Sequence, residues 1–110
     1  MNDRHGLNER TVAQIQGVLA RFPEVEHAVL FGSRAKGVPK PGSDIDLALS
    51  GAGLDWRVLG RIEDALDDLL LPYTFSLLHH HERTDPEVAG HIARVGLPFY
   101  HREGAAAPLP

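Results

Sequence analysis

The segment FGSRAKG at residues 31–37 leads, through VPKP, into GSDIDL at residues 42–47. His27–Phe31 is a short apolar run stopped by Gly32, which reads as a buried strand. Residues 32–43 hold three glycines and two prolines, so most of that stretch is loop. Ile45–Leu49 reads as a second strand with aspartates on alternate positions, which puts Asp44 and Asp46 on one face. Gly32 permits a sharp turn. If Arg34-Ala35-Lys36 opens a helical turn, free N–H groups and a positive helix end suit a phosphate. Ser33 adds a hydroxyl donor there, and Lys36 and Arg34 add charge. Two nearby carboxylates repel unless a cation lies between them, and carboxylates with phosphate oxygens are the hard ligands that Mg²⁺ takes. Two such metals clamp an in-line displacement at phosphorus. The chemistry implied is transfer of a nucleotidyl group from a nucleoside triphosphate.

Outward from this segment, Asn8 is an N-cap and Val12, Ile15, Val18/Leu19 and Phe22 follow at the spacing of one helix face, ended by Pro23. Asp55 caps a second helix whose stripe is Val58, Leu59, Ile62, Ala65, Leu66, Leu69 and Leu70, stopped by Pro72. Tyr73–Leu78 is the third strand. Thr84 or Asp85, with Pro86 and Glu87 after it, starts a third helix, with Val88, Ile92 and Val95 facing one way and Gly96 as its C′ residue. Leu97–Tyr100 adds a short edge strand, where Pro98 is tolerable. The expected architecture is a small α/β (α+β) domain over residues 8–102, a mixed sheet of three or four strands flanked by helices. Residues 1–7 and 103–110 are expected to be flexible termini.

With 110 residues the chain is one domain at the usual ~100–200 residues per domain. So small a domain has one modest core, which a homodimer or a hetero-oligomer would support. Zero cysteines exclude a disulfide framework, a thiolate zinc site and a cysteine nucleophile. No apolar run approaches the roughly 20 residues of a membrane span, and MNDRHGLNER has no signal-peptide core, so a cytoplasmic protein is expected. The net charge of −4 argues against general nucleic-acid binding. It hides a split: residues 1–43 carry six Lys/Arg against four Asp/Glu, and residues 44–110 five against eleven.

Phe-Gly-Ser-Arg-Ala-x-Gly followed at this spacing by Ser-Asp-Ile-Asp-Leu resembles the polymerase-β-like nucleotidyltransferase superfamily, and the size and element order resemble its minimal nucleotidyltransferase (MNT) branch. The resemblance runs from about Val12 to Tyr100 and includes Leu71-Pro72-Tyr73, Asp85-Pro86, and His91 through Gly96 with Phe99-Tyr100. It implies a polymerase-β-like fold and Mg²⁺-dependent transfer of AMP from ATP to a hydroxyl. It further implies an antitoxin that AMPylates a tyrosine of a HEPN-type ribonuclease partner. Gly32, Ser33, Arg34 and Lys36 would then meet the nucleotide phosphates, and Asp44 and Asp46 would be the catalytic acids and metal ligands.

The family places a third catalytic carboxylate nine residues before an Asn/Asp-Pro pair, and here that position is Ser76. Serine does not act as a general base near neutral pH. His80 would lie about 13 Å along the strand from Ser76, too far for the same metal. An alternative therefore stays open: a catalytically weakened MNT-fold module that neutralises a HEPN partner by binding. His79-His80-His81 reads as a partly exposed strand end rather than a metal site, and Glu63, Asp64, Asp67 and Asp68 as a solvated helix face. Lys40 reads as solvated loop, and Trp56 and Tyr100 as core or interface.

Overall fold

A computed structural model describes residues 6–35 and 44–105. Its elements are α1 (Glu9–Ala20), β1 (His27–Phe31), α2 (Gly32–Ala35), β2 (Ile45–Ser50), α3 (Trp56–Asp67), β3 (Phe75–His79), α4 (Pro86–Val95) and β4 (Leu97–His101). The sheet order is β3-β2-β1-β4, with β1 antiparallel to β2 and to β4, and β2 parallel to β3. This is the mixed sheet flanked by helices that the sequence predicts. No helix among the described residues is long and apolar enough to cross a membrane.

The three long helices start where their caps dictate. The Asn8 Oδ1 accepts from the Thr11 N–H at 2.8 Å, Asp55 Oδ1 accepts from both Arg57 and Val58 at 3.0 Å, and Asp85 Oδ1 accepts from Glu87 at 2.9 Å. Each satisfies backbone donors that have no partner within the helix. Ile15, Val18 and Leu19 of α1 and Val58, Ile62 and Leu66 of α3 then bury against Ala28, Leu30, Ile45, Leu47 and Leu49, the alternate residues of the two central strands. Ala48 and Ile92 are buried outside this cluster, because α4 lies on the other side of the sheet.

Several expectations are corrected. Leu7, expected in a flexible end, is 1% exposed and belongs to the core. Gly96 is extended (φ −62, ψ 142) rather than left-handed. A β-carbon there would lie 2.4 Å from the Ile92 carbonyl oxygen and 2.6 Å from Val29 Cγ1, so the glycine serves close packing of α4 on β1. Trp56 is 75% exposed with the Arg57 guanidinium 5.3 Å above its ring, so it is not a core residue. Val88 lies at the exposed edge of α4, leaving Ile92 as the buried anchor of that helix. At the other end of the chain Arg102 donates to the carbonyls of Val25, Phe22 and Ala20, tying the exit of β4 to the α1–β1 turn.

Leu70 leaves the α3 stripe because the helix ends at Asp67, and it sits 88% exposed at φ 56. A left-handed leucine costs about 1–2 kcal/mol of backbone strain, and no apolar burial offsets it. Leu70→Gly is expected to stabilise the fold by about 0.5–1 kcal/mol, read as a higher denaturant midpoint with an unchanged slope.

Candidate active site

At one end of the sheet three strands place Phe31, Asp46 and Ser76 in one row, since Phe31 pairs with Asp46 across β1–β2 and Asp46 with Ser76 across β2–β3. Directly paired residues point to the same face. Ser76 is thus the direct neighbour of Asp46, and it is exposed.

The chain leaves β1 through Gly32 at φ 75, and a β-carbon on that residue would lie 2.1 Å from Asp46 Oδ2. Only glycine fits both the handedness and the space. The turn is therefore pressed onto the carboxylate, and the next residue, Ser33, is exposed at the rim. Asp44 precedes β2 and is also exposed. Burial, and then the neighbouring Asp44 carboxylate, push the Asp46 carboxyl above the ordinary aspartate range, while Arg34 and His91 pull it back. Asp44 and Asp46 therefore share one electrostatic neighbourhood.

Arg34 differs from the open phosphate contact that a loop arginine suggests. It is 3% exposed, with its guanidinium 4.8 Å above the Tyr73 ring. Cation and aromatic face attract, and α2, which begins directly after β1, turns this residue inward. Lys36, the other expected phosphate contact, lies outside the described residues, as do Lys40 and Ser43. His91, in the sequence only part of the segment that runs to Gly96, carries no site signal there. It reaches this end of the sheet from α4, its ring edge-on to Phe31 with centroids 6.3 Å apart. Its position on the helix face is ordinary, and only the packing of α4 across β1 gives it a place here.

The histidine run lies at the opposite end of the sheet, where Leu49 pairs with His79. His80 is buried, with Nδ1 3.1 Å from Thr84 Oγ1, and His81 Nδ1 accepts from the Arg83 N–H at 3.0 Å. Burial lowers the proton affinity of His79 and His80, and the neighbouring imidazole of His81 lowers it further. With His27, Ser50, Gly51 and Leu54 the run lines a cleft of about 570 Å³. Among the described residues no three histidines or acids are arranged to hold a metal ion.

Two outcomes follow from this geometry. Between the ordinary aspartate value of 3.8 and its raised value, Asp46 binds more protons folded than unfolded, so it lowers stability as pH rises through that window. Asp46→Asn is expected to raise the melting temperature at pH 7, and the gain should vanish as pH falls below the ordinary aspartate range. Gly32→Ala is expected to cost at least about 1 kcal/mol from handedness alone, measured by chemical denaturation, because the new methyl and the Asp46 carboxylate cannot share one place.

Comparison with known proteins gives the site its context. Among solved structures, a toxin–antitoxin complex with AMP-PNP aligns at a TM-score of 0.66 and 21% identity, covering 88% of this chain and 76% of that one. A tri-AMPylated Shewanella oneidensis HEPN toxin in complex with MNT antitoxin aligns at 0.62 and 20%, covering 88% and 75%. The MntA–HepT toxin–antitoxin complex aligns at 0.64 and 18%, covering 87% and 74%. At these identities the likeness is one of fold. No curated protein sequence matches the chain. Residues 13–104, which span the Gly32–Ser33 turn, both aspartates and Ser76, match the family model described as polymerase beta, nucleotidyltransferase. The chain belongs to the polymerase β nucleotidyltransferase family.

Proposed function

We propose that this protein transfers AMP from ATP to a hydroxyl on a protein partner, and that the partner is a HEPN-type toxin which it restrains as a cytoplasmic antitoxin. The observation that carries the reading is the contact of the Gly32 turn with Asp46, which sets a glycine bend against a carboxylate that feels the charge of Asp44. The fold shared with a toxin–antitoxin complex solved with AMP-PNP, and with a complex of an MNT antitoxin and an AMPylated HEPN toxin, supports the nucleotide and the partner.

Each residue has a physical task in this reading. Gly32 brings the backbone close enough for the triphosphate to rest on the turn, and the exposed Ser33 hydroxyl donates to a phosphate oxygen. Lys36 adds charge from the loop, and Arg34 counters the charge of Asp46. Asp44 and Asp46 would hold Mg²⁺. The fit is in their electrostatics, since the repulsion and burial that raise Asp46 are what a divalent cation relieves. When bound, the metal supplies positive charge to the triphosphate and to the departing pyrophosphate.

Ser76 supports a second reading, in which the same surface binds the toxin without turnover, because the residue beside Asp46 accepts no proton near neutral pH. The two readings separate in one assay. Incubation with ATP, Mg²⁺ and a purified HEPN-type protein should add the mass of AMP to that protein. Asp44→Ala and Asp46→Ala should each reduce transfer by about 10²-fold or more, the consequence of losing several kcal/mol of charge stabilisation. Tight complex formation with no AMP added, unchanged by either substitution, would establish the binding module instead.

A further inference from the structure

The hydroxyl that attacks ATP must lose a proton, and at the place where an acid would take it the chain has Ser76. The groups gathered around Asp46 narrow the choice of substitute. Asp44 is the other member of the acid pair. Arg34 is a permanent cation, turned inward against Tyr73, and it accepts no proton. His91 comes from a different layer. It stands on α4, which packs on β1 and against α2, and its ring lies against Phe31, the direct cross-strand neighbour of Asp46. Through Phe31 it stands at the Asp46 end of the sheet, and its charge is felt at the Asp46 carboxyl. It is half-buried rather than enclosed, which leaves it open to an incoming group. Imidazole is also the side chain whose ordinary proton affinity suits exchange near neutral pH.

We propose that His91 accepts the proton of the attacking hydroxyl, in the place of the acid missing at position 76. The proposal rests on the nucleotidyl-transfer reading above. The acceptor oxygen forms a bond to the α-phosphorus of ATP as the bond from that phosphorus to the α–β bridging oxygen breaks. Pyrophosphate leaves with the electron pair, and the hydroxyl proton passes to a ring nitrogen of His91, from which solvent removes it after the product departs. Phe31 fixes the ring by its edge contact.

The test compares wild type, His91→Gln, Ser76→Asp and the double variant. Each is assayed for AMP transfer from ATP to a purified HEPN-type protein, for ATP affinity by calorimetry and for melting temperature. His91→Gln is expected to lower turnover by about 10²–10⁴-fold, the usual contribution of a positioned base, with ATP affinity and melting temperature near wild type. Adding Ser76→Asp to it should restore at least about tenfold of the loss, because the carboxylate returns to the neighbour of Asp46. Wild-type turnover in His91→Gln would overturn the proposal. So would a loss that Ser76→Asp does not rescue, since that assigns His91 to packing against Phe31. A silent wild type with an active Ser76→Asp would remove His91 as base yet keep the transferase site. Silence in all four proteins would overturn the transferase reading, and this inference with it.

Discussion

The Asp46 carboxylate lies where a β-carbon on residue 32 would have to be. That shared space governs the rest of the site. It demands a glycine with positive φ at the end of β1, which fixes the direction in which the chain leaves the sheet. The exit direction leaves Ser33 exposed and turns Arg34 inward onto Tyr73. Turn and carboxylate form one packed unit, and the buried Arg34 acts on it through its charge.

The two faces of the sheet explain why a polar site sits so close to so small a core. Ile45, Leu47 and Leu49 point into the layer filled by α1 and α3, and all three are fully buried. The alternate residues, Asp46 and Ala48, point the other way, and α4 covers that side only in part. Ile92 anchors α4 while Gly96 lets it lie close on Val29. The uncovered remainder is where Asp46 and Ser76 lie, with His91 at its border. A carboxylate in this half-buried position is held at a cost to the fold: partial loss of water and a like-charged neighbour both disfavour its ionised form. Perturbed carboxylates of this kind cluster at functional sites.

Much of the fold was legible because its signals are local. Asn8, Asp55 and Asp85 start helices through bonds that span two or three residues, so the amino acids near the cap suffice to place them. The alternation from residues 44 to 49 placed both aspartates toward one side before any packing was known. The errors share a different cause. Val88, Leu70 and Trp56 carry apolar side chains at plausible helical positions, and whether such a residue is covered depends on a neighbouring element that local spacing does not contain. Leu7 is the converse, an apolar residue in a polar stretch that the core takes in. Gly96 was given a handedness role because helices often end that way, whereas its real constraint is a strand passing beneath it.

For this chain the order of residues determined the helix starts, the strand segments, the Gly32 turn, the two aspartates and the serine that stands at position 76. Each follows from backbone geometry or side-chain chemistry within a few residues. Only the tertiary structure decided that Ser76 lies beside Asp46, that Arg34 points inward, and that His91 stands at the same end of the sheet. These depend on a strand register and a helix crossing between segments far apart in the chain. Their geometry is settled by packing, in which every layer constrains the next, and no local pattern encodes it.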